Sequence, residues 1–234
     1  NYSNKPITGV ITNENNSYND IRNNLVKLVK TIKVASEQEF IDALASVNGE
    51  AVIDATNVEL SFALATTYTI PEGVTVKGAK FVSSNRRASN ELRIAEGTGE
   101  KVIFEDCSFE RSANFFVLEF LTIGNAKNME FNDCDFKGCM SFYCYQEDGL
   151  TEVNNCSFTT YDGFDGYISC TGGTQQFNSC SFDYTNASSK DLGVIKPKAI
   201  NASVDTCNTT VVLNKCSLTN CSTAARNNAV ITKK

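Results

Sequence analysis

Hydrophobic and polar positions alternate along most of this chain, and one alternating octet recurs. VIFEDCSF at 102–109 returns as MEFNDCDF at 129–136, TEVNNCSF at 151–158, QQFNSCSF at 175–182 and VVLNKCSL at 211–218. Each copy runs apolar, outward, apolar, meets a polar pair rich in Asn and Asp, and resumes with a Cys and a Phe or Leu two apart. The first half has strand periodicity, the polar pair permits a bend with positive φ, and the Cys/Phe pair continues the alternation. VTVKGAKF at 74–81 fits the same template, with Gly78 at the bend and Ala79 at the cysteine position. With Ala79, Cys107, Cys134, Cys156, Cys180 and Cys216 as markers, the steps are 28, 27, 22, 24 and 36 residues. One such unit cannot bury its own apolar face, so the copies are expected to stack as a solenoid. Cys134, Cys156 and Cys180 would then form one inward row, and Phe136, Phe158 and Phe182 another. A sandwich whose strands carry Cys-x-Phe is the alternative, but it gives no reason for bend and pair to recur together.

The flanking pattern predicts the remaining elements. Residues 1–16 are an Asn-rich lead-in, and Ile21, Leu25, Leu28 and Val29 recur at helical spacing, predicting an amphipathic helix over 18–30 that caps the open end. Residues 1–30 are thus read as lead-in and cap, and 31–234 as one repeat domain. TIKVAS at 31–36 reads as a strand, and Ser36 with Glu39 as a capping box opening a helix over 37–47 that Gly49 closes. Strands are expected at 51–56, at 59–64 and within 67–81, then an irregular excursion over 82–100. Each coil needs one more strand, and the candidates are 114–123, 139–146, 165–171 and 198–206. A protruding loop is expected at 185–198, and Ala229, Val230 and Ile231 make one last strand.

The series Thr31 to Val34, Glu37 to Val47, Ala51 to Asp54 and Tyr68 to Phe81 resembles the entry into right-handed parallel β-helix proteins of the pectate-lyase-like superfamily. The resemblance covers roughly 31–232. It implies an all-β fold of coils with three short parallel strands each, preceded here by a short N-terminal helical cap. It says little about substrate, because that fold hosts lyases, hydrolases, esterases, adhesins and tailspikes. The superfamily's lyase motif with two arginines around a proline is absent, and its polygalacturonase pattern needs a His where this chain has none.

Composition narrows the chemistry further. The 234 residues include 10 Cys, 15 Phe and 8 Tyr, with no Trp and no His. Without His, a Ser or Cys nucleophile lacks its usual base, and no Cys-x-x-Cys pair starts a zinc site. Five cysteines share one repeat position with Ala79, which makes them buried wedges. Cys139, Cys144, Cys170, Cys207 and Cys221 leave disulfides open, with Cys144 and Cys170 on a wall apart from the main ladder. The net charge of −6, with no cationic stripe, argues against nucleic acid. No apolar run is long enough to span a membrane. The polar start lacks an initiating Met, as expected of a processed product, and a removed export signal fits. Asn-x-Ser/Thr sites stand at Asn1, Asn15, Asn155, Asn186, Asn201, Asn208 and Asn220.

Candidate surface chemistry is sparse. Tyr143, Tyr145, Tyr161 and Tyr167, with Phe142 and Phe164, could expose an aromatic shelf beside Asp162 and Asp165, suited to a glycan or a protein loop. The alternative turns Phe142 inward. Asp162 and Asp165 also form the nearest carboxylate pair to a catalytic one, in a sequence that equally makes a solvated turn. Glu105, Asp106, Glu130, Asp133 and Asp135, with Arg111 and Lys137 beyond them, are the oxygen-rich candidates for Ca²⁺. No catalytic residue and no firm metal ligand is assigned. The expected function is a non-catalytic, exported or surface-associated scaffold that is adhesin-like or binds a polysaccharide or a host or surface protein. The alternatives are a polysaccharide lyase or glycoside hydrolase acting on an acidic polysaccharide, and a β-helical module of a phage or surface assembly that associates end to end or as a trimer.

Overall fold

The computed structural model describes residues 29–62, 67–83, 91–94, 99–111, 121–124, 127–138, 140–144, 146, 148–162, 167–187, 194–198, 209–223 and 229–234. Strand β1 (Lys30–Lys33) leads into helix α1 (Glu37–Ser46), and three-stranded coils follow. The first is β2 (Ala51–Asp54), β3 (Glu59–Leu60) and β4 (Thr67–Ile70); the second is β5 (Val74–Lys77), β6 (Lys80–Ser83) and β7 (Glu91–Ile94). Next come β8 (Val102–Glu105), β9 (Ser108–Arg111) and β10 (Leu121–Gly124), then β11 (Asn128–Asn132), β12 (Asp135–Lys137) and β13 (Met140–Tyr143). The fifth coil is β14 (Leu150–Asn154), β15 (Ser157–Thr159) and β16 (Tyr167–Thr171), and the sixth is β17 (Gly173–Asn178), β18 (Ser181–Asp183) and β19 (Val194–Lys198). The seventh is β20 (Thr209–Asn214), β21 (Ser217–Thr219) and β22 (Ser222–Thr223), and β23 (Val230–Lys233) opens one more turn.

Every third strand pairs in parallel with its counterpart one coil away, giving one sheet of nine strands and two of seven. This is a right-handed parallel β-helix, the architecture that the resemblance implies.

The octet supplies the corner between the first sheet and the second. The bend residue takes φ of +69° at Gly78, +53° at Asp106, +54° at Asp133, +55° at Asn155, +54° at Ser179 and +54° at Lys215. It is the second member of the polar pair in every copy, and at Ser179 and Lys215 it is a residue type with no special liking for left-handed backbone. Coil-to-coil hydrogen bonds hold it there: Asp133 N donates to Asn154 O at 3.0 Å and Ser179 N to Asn214 O at 2.9 Å. Two residues later the polarity reverses, with Asp135 N donating to Cys107 O and Ser157 N to Cys134 O, both at 3.0 Å. At Gly78 the coil above is close, and an added Cβ would lie 2.9 Å from Thr56 Cα.

Inside, identical residues stack. Phe81, Phe109, Phe136, Phe158 and Phe182 form a column with successive ring centroids 5.1, 4.8, 4.6 and 4.7 Å apart and near-parallel planes. Leu60 and Leu218 end that column at the register positions next to Phe81 and Phe182. Phe104 and Phe131, register neighbours in the nine-stranded sheet, stack along that wall at 4.9 Å, and edge-to-face contacts such as Phe131 on Phe136 knit the two walls. The cysteines fill the corner, buried from Cys107 to Cys180. Each thiol donates to a carbonyl of the coil above, as Cys134 does to Phe104 O at 3.5 Å and Cys180 to Val153 O at 3.2 Å.

Helix α1 seals the N-terminal end. Ser36 accepts from Glu39 N at 3.2 Å, and the Glu39 carboxylate accepts in return from Ala35 N at 2.8 Å, one residue earlier than a standard capping box. Phe40 meets Tyr68 and Phe81 edge to face at 5.8 and 6.1 Å, and Tyr68 donates to Glu37. The cap among the described residues is therefore this helix.

Several expectations need correction. The helix expected over 18–30 falls mostly on residues outside the description, and its last residue, Lys30, opens β1 instead. The strand expected over 59–64 shrinks to Glu59–Leu60, after which Phe62 turns at φ +56°. The excursion expected over 82–100 contains β7, which completes its coil with Leu92 buried. Of the strand expected over 198–206 only Lys198 is described, as the end of β19, and the rest lies outside the described residues; β19 itself falls inside the segment read as a protruding loop. Pro197 in β19 stands in register with Cys170 of β16, while on its other side β22 pairs only with Val194 and Ile195, so one side of the proline has no ladder to interrupt.

Candidate functional site

The outer face of the nine-stranded sheet presents two rows. Next to the bend, Asn132, Asn154, Asn178 and Asn214 stand in register and form an amide ladder. Asn154 donates to Asn132 at 2.9 Å, Asn178 to Asn154 at 2.8 Å and Asn214 to Asn178 at 3.3 Å. The ladder is directional, and its donor end is received by Glu130 Oε1 at 2.9 Å. In the second row Glu130 and Glu152 are register neighbours, and the Lys101 ammonium sits between them, touching Glu130 and 2.7 Å from Glu152. Burial favours the neutral acid at Glu130, but Lys101 and Asn132 outweigh it and hold the carboxyl below its usual range. The hydrogen bonds that Lys101 donates to both glutamates hold its ammonium above the usual lysine range. Beside this cluster runs an open groove of about 410 Å³, walled by Val52, Thr75 and Ile103 and rimmed by Glu50, Glu100 and Lys101.

The second sheet carries a ladder of alternating charge. Lys80 lies 3.4 Å from Glu59 and 3.5 Å from Glu110. Glu110 then accepts from the Tyr161 hydroxyl at 3.2 Å, and the Lys137 ammonium lies 4.1 Å from the Tyr161 ring centroid. Burial, with the Glu110 charge added, pushes the Tyr161 phenol up to about 12. Tyr161 is thus a half-buried ring held on one side by a cation and at its tip by a carboxylate, and exposed Asp162 follows it.

Of the expected aromatic shelf, the structure fixes the side chains of Tyr161 and Asp162. Tyr143 ends β13 and Tyr167 opens β16, and their side chains lie outside the description, as do Tyr145, Phe164 and Asp165 altogether. Phe142 is buried, packed at 5.7 Å on Phe131 and 5.5 Å on Phe136, so it belongs to the core.

The oxygen-rich group considered for Ca²⁺ is dispersed. Lys77 lies 3.7 Å from Glu105 and 3.5 Å from Asp106, Asn132 is committed to the amide ladder, and Asp135 accepts from Ser157. Arg111 turns inward and donates to Ser83. Among the described residues no group of three or more acidic, Cys or His side chains is arranged to hold a metal ion. Cys144, Cys170 and Cys221 form no disulfide with one another; Cys139 and Cys207 lie outside the description. Cys170 does sit on the third wall, opposite Phe142, apart from the main ladder.

Lys101, Glu152 and Glu110 were not picked out from sequence, although the signal was present. Glu130 and Glu152 occupy the same octet position, as do Glu110 and Lys137 one residue beyond the Phe. The shared octet positions place Glu130 beside Glu152 and Glu110 beside Lys137, whereas Lys101 and Tyr161 stand outside the octet and join these pairs only in the folded coils.

No family model, curated protein or solved structure matches the chain. No helix among the described residues is long and apolar enough to cross a membrane.

Proposed function

We propose that this protein is a non-catalytic, exported β-helical scaffold that binds carbohydrate through polar and aromatic groups on its outer walls. The observation that carries the reading is the Tyr161 constellation. An aromatic ring with a fixed ammonium and a fixed carboxylate on a rigid ladder offers a sugar both a stacking surface and paired hydrogen-bonding groups. Exposure of Asn155, Asn186 and Asn220 at their Asn-x-Ser sites suits an exported chain.

Titration behaviour favours binding over catalysis. General acid–base chemistry needs a group poised near the working pH. Among the described residues, the carboxyls with shifted titration, at Asp54, Glu130, Asp148 and Asp183, all move down, while Lys80 and Lys101 move up. Glu130 and Glu152 converge as a hydrolase pair would, but the ammonium between them keeps Glu130 from serving as proton donor.

The test is titration against a panel of neutral and acidic polysaccharides, scoring both binding and the release of unsaturated products or reducing ends. Saturable binding without product is expected, weakened about tenfold or more by Tyr161→Ala. Turnover of any panel member would move the assignment to the lyase or hydrolase class, and unchanged binding in the variant would remove Tyr161 from the site.

A further inference from the structure

The turn joining α1 to β2 contains the dipeptide Asn48–Gly49, the one Asn-Gly pair in the chain. Both residues are exposed. Gly49 has φ +91°, and a Cβ built on it would meet nothing within 4 Å. The Gly49 backbone N–H has no hydrogen-bond acceptor among the described residues. A free backbone nitrogen, open space around it and a preceding Asn amide are the requirements for intramolecular imide formation.

We infer that Asn48–Gly49 is a site of spontaneous deamidation in the folded protein. The Gly49 nitrogen attacks Asn48 Cγ, a new C–N bond closes a five-membered imide, and the bond to Nδ2 breaks as ammonia leaves with the displaced proton. Water then opens the ring at either carbonyl, giving an aspartyl or an isoaspartyl linkage. The net change is hydrolysis of one amide, with water consumed and ammonia released. Asparagine is among the chemically labile residues for this reason, and glycine offers the least steric resistance to closure.

The structure holds its own control. Asp148–Gly149 can close the same imide from its protonated carboxyl, with water as the leaving group, yet Gly149 is buried, its nitrogen donates to Gln146 O at 3.1 Å, and the Cys144 sulfur fills the space beside it. Asp148 is also tied to Lys127 at 2.5 Å. One site is open and the other is locked by the coil. Reaction at Asn48 adds a negative charge two residues from Glu50, on the rim of the groove that Glu100 and Lys101 share. The isoaspartyl product also lengthens by one methylene the backbone link between the cap and the first coil.

The test is peptide mapping by mass spectrometry, with isoaspartyl detection, after incubating native and urea-unfolded protein at mildly alkaline pH. The expected result is a one-unit mass gain at Asn48 in the native protein, at a rate within about threefold of the unfolded chain, because no opening is required. Asp148, followed in a parallel incubation at about pH 5 where part of its carboxyl is protonated in the unfolded chain, should isomerise only after unfolding, and Asn48→Gln, which cannot close the five-membered ring, should abolish the gain. A native rate at Asn48 more than about tenfold below the unfolded rate would overturn the inference. So would equal native reactivity at Asp148.

Discussion

Replacing Phe136 tests the aromatic column at its centre. Its ring lies 4.8 Å from Phe109 and 4.6 Å from Phe158 within the column, and meets Phe131 and Phe142 edge to face at 5.6 and 5.5 Å. Phe136→Ala removes all four contacts and leaves a cavity that in-register strands have little freedom to close, so a loss of about 3–5 kcal/mol is expected. Phe136→Leu is the informative comparison, since Leu60 and Leu218 occupy the same column position at its two ends. Leucine keeps most of the volume and loses chiefly the two stacked pairs, worth about 0.5–1.5 kcal/mol each, so about 1–3 kcal/mol in total. Urea unfolding followed by circular dichroism reads both values. If Phe136→Leu costs as much as Phe136→Ala, or if Phe136→Ala costs under about 1 kcal/mol, the column is not the main lateral tie between coils.

Two further outcomes follow from the interior. Hydrogen bonding along the cysteine ladder, with burial, holds Cys156 and Cys180 up to about 12, whereas a thiol in the unfolded chain ionises near ~8.5. Their contribution is therefore complete below ~pH 8.5 and is lost above it, by about 1.4 kcal/mol per thiol per pH unit, or about 4 kcal/mol for the pair by ~pH 10. The double variant Cys156→Ala with Cys180→Ala should show a shallower alkaline loss in its urea midpoint, and identical slopes would refute the assignment. Gln175 is fully buried in a row that runs Val102, Met129, Thr151, Gln175 and Val211. Its amide nitrogen reaches Gly172 O at 2.5 Å while its Oε1 has no partner among the described residues. Gln175→Met should therefore be neutral or stabilising by about 1 kcal/mol, and a loss above about 1 kcal/mol would show that the amide is needed.

The octet made the coil legible because inward positions obey a narrow rule. Phe136 can stack only on Phe109 and Phe158 if the register is kept, and Ala79 at the cysteine position marked those thiols as spacers. Strands of the third sheet were harder to place. β7 and β19 are short, carry no repeated motif, and in β19 include a proline. Their positions are set by the need to close a coil, which acts between strands distant in sequence. The surface was least legible. Lys101 reaches Glu130 and Glu152 across two coils, and Glu110 meets Tyr161 across another two, so neither cluster exists until the coils are stacked. Tyr161 was singled out with five other residues for a shelf, yet its fixed partners are Lys137 and Glu110.

The octet's role as a stacking device can be tested by counting thiols. Pulse labelling with a maleimide, read residue by residue by mass spectrometry, distinguishes a buried ladder from bridged or exposed cysteines. In the native protein Cys107, Cys134, Cys156 and Cys180 should stay unlabelled while the less buried Cys221, outside the ladder, reacts, and all five should react once the chain is unfolded. Rapid native labelling of Cys134 or Cys156, or a disulfide at either, would contradict the stacked β-helix.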